Sequence, residues 1–456
     1  MKDKAQRRKS IMALSPRVII FSFSGIILAG TLLLILPFSS RTGAYTPFWD
    51  ALFTATSATC VTGLVVYDTY QYFSPIGQGI ILCLIQIGGL GLLTFTTFFN
   101  ILVGKKLGLR GMQVASDAIN ADTFEGLQKL IQTVVAVALI VEAIGALMLC
   151  ATFIPRYGRE GVWISVFLAV SAFCNAGFDI LGREGTFASL SHYNGNFTVM
   201  FTIMALIIIG GLGFVVWRDL LEYRRTRHLK LHTKVVLGMT AGLIIAGFFL
   251  FLLLEWNNPR TLGDMEFGNR LSAALFQSVT TRTAGFNSID IAGMEDITKL
   301  GACLLMFIGA APGSTAGGIK VTTLAVIIMT VIAVIRDKDD PMVLHRRVSK
   351  TVVFKAIAVM ALSFMAVVVA FAVILFTSHL RGTGVSSIDA LFESVSAFAT
   401  VGLSAGVTGI ASIPSKIALS LTMFIGRVGP VTFVLSLALR PSKNRKEVIP
   451  EGKIYL

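Results

Sequence analysis

Long apolar runs, each about one bilayer thick, alternate along this chain with shorter apolar stretches that end on a glycine. The first run, Val18–Leu36, holds 19 residues without a charge. As a helix it rises roughly 28 Å, close to the ~30 Å hydrocarbon thickness of a membrane. Comparable runs follow at Ile76–Val103, Leu130–Ile154, Phe197–Trp217, Val235–Leu254, Leu300–Ile335, Val352–Ser378 and Ile417–Leu439. The pattern predicts an all-α membrane protein with eight spans. Five basic residues between Lys2 and Lys9 precede the first run, as they do in a secretory signal. That run is long for a signal, however, and Pro37-Phe38-Ser39-Ser40 offers no small-x-small cleavage site.

Between the long runs lie four shorter segments: Phe48–Leu64, Val162–Asp179, Leu271–Phe286 and Ile388–Leu403. Each predicts about ten residues of helix, then a loop of x-[TA]-[TAV]-Gly-[LF] character. Phe53, Phe167 and Phe392 stand ten residues before Gly63, Gly177 and Gly402, whereas Phe276 stands nine before Gly285. The third short helix is therefore expected to end differently. A second landmark keeps phase with the first. Ile87-Gly88-Gly89-Leu90-Gly91, Ile209-Gly210-Gly211-Leu212-Gly213, Ile308-Gly309 and Ile425-Gly426 fall 25, 33, 24 and 24 residues after the loop glycines. Two landmarks in register four times predict an internal repeat. Each unit reads as outer helix, short helix, loop and inner helix. The units are drawn at 18–110, 111–230, 231–345 and 346–440, with an N-terminal stretch 1–17 and a C-terminal stretch 441–456.

A ten- or eleven-residue helix rises about 16 Å, half the bilayer. Irregular backbone at membrane depth is tolerated only where it is buried in protein or lines a water-filled cavity. Four such re-entrant loops, placed around a pseudo-fourfold axis, can replace the water shell of a dehydrated cation with backbone carbonyls. The short helices aim their partially negative C-terminal ends at that ion. The candidate ion-binding backbone is Val61, Thr62 and Gly63; Asn175, Ala176 and Gly177; Thr283, Ala284 and Gly285; Thr400, Val401 and Gly402. Each loop has a single glycine, unlike the glycine-tyrosine-glycine filter of tetrameric potassium channels, so fewer strong sites and looser selectivity are expected. The competing reading is that these glycines only permit close helix packing.

Two inner-helix anomalies stand out. The stretch Ile308–Lys320 carries a proline and several glycines that break a helix. Ala311, Pro312, Gly313, Ser314, Thr315, Ala316, Gly317 and Gly318 form the candidate gate, with a plain structural kink as the rival. A phosphate-binding loop fits poorly, because Ile319 precedes Lys320 and no strand leads in. Arg427 sits at the matching landmark of the fourth unit. A central arginine costs about 3 kcal/mol on insertion scales, so it should face polar company or a cavity, unless it snorkels or forms a plain ion pair. The sequence names no partner for Glu142, a further charge inside an apolar run.

The formal charge of +14 resembles a nucleic-acid signal until it is mapped. Lys2–Arg17, Lys105–Lys129, Arg218–Lys234, Arg336–Lys355 and Arg440–Lys453 hold 27 of the 39 basic residues. With eight spans these clusters share one side, which predicts both termini in the cytoplasm. Five cysteines lie in apolar stretches without CxxC spacing, and five histidines lack metal-ligand spacing. No Ser/His, HExxH or Walker arrangement occurs, so neither an enzyme nor a covalently bound cofactor is expected.

The four loops, the break Gly309–Gly318 and Arg427 together resemble the Ktr/Trk/HKT superfamily of potassium transporters over nearly the whole chain. Two extra N-terminal helices of the Trk type are missing, which makes it most similar to the bacterial Ktr-type membrane subunit. The resemblance implies potassium uptake across the bacterial plasma membrane, with K+ at the filter carbonyls and Na+ as an activator. It implies a homodimer with a pore in each protomer, regulated by a cytosolic nucleotide-binding RCK ring. It also places Arg427 beside the gating segment as a barrier and anchor. The alternative is an ion-coupled secondary transporter with alternating access. Such folds generally carry inverted repeats, whereas these four units run in one orientation.

Overall fold

The computed structural model describes residues 2–91, 127–338, 340–343 and 346–437. Most of the basic stretch Lys105–Lys129, all of Arg440–Lys453 and the unit boundaries drawn at 110/111 and 440/441 lie outside the described residues. Four units follow one another. The first contains α1 (Lys2–Ile35), α2 (Phe48–Thr59), α3 (Thr69–Tyr72) and α4 (Pro75–Leu90). The second contains α5 (Leu127–Tyr157), α6 (Arg159–Phe173), α7 (Phe197–Gly211) and α8 (Phe214–Thr226). The third contains α9 (Leu231–Leu254), α10 (Phe267–Thr280), α11 (Asp296–Phe307) and α12 (Val321–Ile335). A two-stranded hairpin, β1 (Met342–Val343) and β2 (Arg346–Arg347), leads to the fourth. That unit contains α13 (Lys350–Arg381), α14 (Ser387–Ala399), α15 (Val407–Ile410), α16 (Ile413–Val428) and α17 (Pro430–Leu437).

Among the described residues, four helices are long and apolar enough to cross a membrane: Arg17–Ile35 of α1, Gln132–Tyr157 of α5, α9 and α13. Two bent pairs, α7 with α8 and α16 with α17, pass the same test together, and α4 and α12 are shorter apolar helices. The long helices turn large apolar side chains outward: Leu147 is 72% exposed and Leu253 71%. Such surface is stable against lipid and costly against water. The short helices α2, α6, α10 and α14 are instead packed inside, with Phe53, Phe167, Phe276 and Phe392 fully buried.

Capping chemistry starts the inner helices. Ser74, Asn196 and Ser412 each accept a hydrogen bond from the backbone N–H three residues on, and Pro75 and Pro414 occupy the first turn. Their missing N–H groups fall where a helix has no internal acceptor. The side chain four residues past the cap then reaches the short helix of the next unit. Gln78 of α4 accepts from Trp163 Nε1 of α6 at 2.9 Å. Lys299 of α11, four past Glu295, pairs with Asp389 of α14 at 2.7 Å. Lys416 of α16 pairs with Asp50 of α2 at 2.6 Å, which closes the ring from the fourth unit to the first. An apolar cluster containing Phe53, Cys60, Leu64, Ala397, Leu419 and Met423 seals the same junction.

Among the described residues the inner helices of the second and fourth units break as well as that of the third, and α4 of the first ends at the matching position. Gly91 and Gly429 end α4 and α16 with φ of 81° and 95°, and Gly213 caps the start of α8 with φ of 88°. These values favour glycine, which has no Cβ to clash. The chain bends by 98° between α7 and α8 and by 100° between α16 and α17. Each glycine stands three residues after the first landmark glycine. Pro312 holds that position in the third unit, where the break widens to the whole segment between α11 and α12.

Candidate functional site: a four-loop constriction

The four loops adopt one backbone conformation. Val61, Asn175, Thr283 and Thr400, two residues before each glycine, have φ of 57°, 59°, 67° and 52°. Gly63, Gly177, Gly285 and Gly402 follow with φ of 95°, 69°, 85° and 92°, and the residue between is not left-handed. Alternating the handedness of successive residues turns their carbonyls toward one side, the arrangement a dehydrating cation requires.

The loops also close on one another. A β-carbon built on Gly63 would lie 2.5 Å from Ala176 O, on Gly177 2.8 Å from Ala284 O, and on Gly285 2.6 Å from Val401 O. On Gly402 it would collide with Thr62 O, which completes the circle. Each glycine thus faces a carbonyl of the next loop. This close approach is what the packing reading of these glycines requires, and it also brings a carbonyl of every loop to the same constriction.

Hydroxyls at the ends of the short helices brace the loops. Ser57 and Ser396 accept from Gly63 N and Gly402 N, both at 3.1 Å. Ser171 and Thr280 donate to Phe178 O and Phe286 O, both at 2.6 Å. The third loop departs as its phenylalanine spacing predicts. Its helix stops at Thr280, five residues before the glycine, whereas α2 and α6 stop four before. Ala284 N bonds back to Thr280 O, a shorter turn than the Thr62 N to Ser57 O bond of the first loop. Arg282 of this loop is buried, with Nη2 3.5 Å from Gly309 O.

Outside the constriction lies a cavity of about 330 Å³ lined by all four glycines. On the other side lies one of about 420 Å³, lined by Gly89, Gly91, Phe214, Arg427 and much of the third-unit break. The break sits directly beneath the loops. Gly317 abuts the Thr400 side chain, Gly318 abuts Ala399, and Thr315 Oγ1 donates to Phe173 O at 3.3 Å. Backbone bonds from Ala311 N to Gly211 O and from Phe214 N to Gly313 O hook it to the second unit.

Arg427 reaches into this cavity and donates to Thr315 O, Gly88 O and Gly89 O. It therefore satisfies carbonyls at the end of α4 and one carbonyl of the break. The hydroxyls of Ser314 and Thr315 point elsewhere and donate to Ala311 O and Phe173 O. Lys320 Nζ donates to Ala316 O at 2.7 Å, which adds a second cation under the loops that sequence reading passed over. Glu142 has partners after all: Gln86 Nε2 donates to both its oxygens at 3.1 and 3.2 Å, and the Cys174 thiol lies 3.9 Å away. Among the described residues, no three His, Cys, Asp or Glu side chains converge as a metal site.

A helical membrane protein whose four quasi-equivalent loops meet at one constriction, with a cavity on either side, has the architecture of a membrane transporter. The chain is a member of the TrkH family of cation transport proteins, which matches residues 17–447. It is 41% identical to the potassium/sodium uptake protein NtpJ of Enterococcus hirae, over 100% of this chain and 99% of that one. It is 39% identical to the Ktr system potassium uptake protein B of Bacillus subtilis, over 96% of each. The fold is that of the potassium transporter TrkH from Vibrio parahaemolyticus. That structure aligns with a TM-score of 0.70 at 16% identity, over 93% of this chain and 84% of the other.

Proposed function

We propose that this protein takes up potassium across the bacterial plasma membrane through the constriction formed by Gly63, Gly177, Gly285 and Gly402. The observation that carries the reading is the closed circle of glycine-to-carbonyl approaches among the four loops. Within it, carbonyls of Val61–Gly63, Asn175–Gly177, Thr283–Gly285 and Thr400–Gly402 take the place of water around K+. Uptake needs no catalytic group. A membrane potential of about 100 mV, inside negative, is worth about 2.3 kcal/mol per charge, enough for roughly 40-fold accumulation.

In this reading eight spans and four re-entrant short helices build the pore, and both termini face the cytoplasm. Ala311–Gly318 is the gate and Arg427 its latch. The relative named for potassium/sodium uptake supports a K+ cargo, and we take Na+ to act as an activator. The Ktr system relative supports a separate regulatory subunit, which we take to be a cytosolic nucleotide-binding RCK ring acting on a homodimer. The same orientation of all four units favours a pore over a coupled carrier with inverted repeats.

The test is flux into liposomes that contain this protein alone, with K+ and Na+ varied separately. The expected result is saturable K+ entry driven by an imposed potential. K+ movement locked at fixed stoichiometry to a second ion would overturn the pore in favour of the carrier.

A further inference from the structure

The position two residues beyond each loop glycine is held by Val65, Asp179, Asn287 and Ser404. All four line the outer cavity together with the glycines. The backbone is nearly fourfold at this level, but the charge is not. Asp179 alone of the four carries a carboxylate. A second carboxylate lining the cavity, Asp290, is paired with Arg260 at 3.2 Å. Asp179 forms no ion pair among the described residues. Its Oδ1 accepts from Leu181 N at 3.0 Å, which orients the group without neutralising it. Burial, and next the negative charge of Asp68, push the Asp179 carboxyl up to about 6, which still leaves it mostly ionised at neutral pH.

We infer that Asp179 is the fixed charge that concentrates monovalent cations at the outer mouth of the pore and so sets the external K+ concentration at which uptake is half-maximal. The inference rests on the conduction reading above. A carboxylate at the rim of a low-dielectric cleft raises the local cation concentration about tenfold or more. At low external K+ the capture of an ion limits the flux, and the rim charge governs capture. At saturating K+ the loops are already supplied, and passage through them limits the rate. Loss of the charge therefore changes half-saturation and leaves the maximal rate nearly untouched.

The test measures K+ entry into liposomes across a range of external K+ for the unaltered protein, Asp179→Asn, Asn287→Asp and the double variant. Asp179→Asn is expected to raise the half-saturating K+ concentration about tenfold at ~0.01 M ionic strength, with the shift shrinking toward ~1 M as salt screens the rim. The double variant moves the carboxylate across the same ring and is expected to restore capture. Asn287→Asp alone is expected to lower half-saturation, and this arm stands if Asp179→Asn does not fold. An unchanged half-saturation in Asp179→Asn overturns the inference. So does a defect that the double variant fails to restore, since a charge anywhere on the ring would then not be what Asp179 supplies. Absence of flux in the unaltered protein instead overturns the conduction reading on which this inference depends.

Discussion

Arg427→Ala removes a guanidinium that bridges the third-unit break and the end of the first inner helix. The bond to Thr315 O ties the break; the bonds to Gly88 O and Gly89 O anchor the arginine to α4. A hydrogen bond from a charged donor contributes about 1.5–3 kcal/mol, and each 1.4 kcal/mol is about tenfold in an equilibrium. Loss of the Thr315 bond is therefore expected to lower the closed-to-open ratio about ten- to a hundredfold. Removing a cation from beneath the loops acts in the same direction on conduction. Arg427→Lys separates the two effects, because it keeps the charge but cannot span three carbonyls in a planar fork. If the latch dominates, both variants conduct more; if the charge dominates, only the alanine variant does. The assay is K+ flux into liposomes with and without the proposed cytosolic ring, alongside K+ over Na+ selectivity. Selectivity is expected to stay the same, since neither substitution touches Gly63, Gly177, Gly285 or Gly402. A variant that inserts normally yet conducts less, or remains fully dependent on the ring, refutes the latch. The segment is then a structural kink.

Deleting Ala311–Gly317 should raise flux as Arg427→Ala does, and a drop in flux from a well-inserted deletion would contradict the gate. Gly63→Ser, Gly285→Ser and Gly402→Ser each force a side chain against a neighbouring loop at positive φ, so K+ selectivity over Na+ should relax. Unchanged K+ affinity and selectivity in all three would remove the filter assignment. Lys416→Met leaves the mostly buried Asp50 carboxylate without its cation and with the Tyr67 hydroxyl as its remaining partner, which should cost about 3 kcal/mol of stability, and Asp50→Asn in the same chain should return much of it. Thermal unfolding in detergent reads this directly, and equal stability of the single and double variants would show that the pair does not clamp the units. Arg346 and Arg347 form the exposed strand β2 between the third and fourth units, and Arg347 pairs with Asp340 at 2.7 Å. Charge reversal at both should weaken retention of the cytosolic ring in a pull-down at physiological salt. Unchanged retention would place the contact elsewhere.

The primary structure by itself determined the membrane class, the fourfold repetition and the identity of the loop glycines. Apolar runs of bilayer length have few stable alternatives to helices, and glycine recurs in register because no other residue tolerates both the positive φ and the neighbouring carbonyl. Even the shifted third loop was legible, in the nine-residue spacing from Phe276 to Gly285. The end of α4 at Gly91 and the breaks at Gly213 and Gly429 left a signal too, a glycine three residues past each landmark, but one glycine in an apolar run does not declare its dihedral angles. The tertiary structure decided who meets whom. Arg427 and Gly88 are 339 residues apart, and Lys416 and Asp50 are 366 apart. No periodicity links such pairs; they meet because the fourth unit packs back against the first. Glu142 had no nameable partner because Gln86 stands 56 residues away in the first unit, and the two meet only where the first and second units pack side by side. The charge at the mouth of the pore was likewise invisible in the chain. Asp179 is one acidic residue among 25 until four loops place it, with Val65, Asn287 and Ser404, around one cavity. Local propensity writes helices and turns into a sequence, whereas a site shared by four units exists only once their packing has brought distant residues to the same axis.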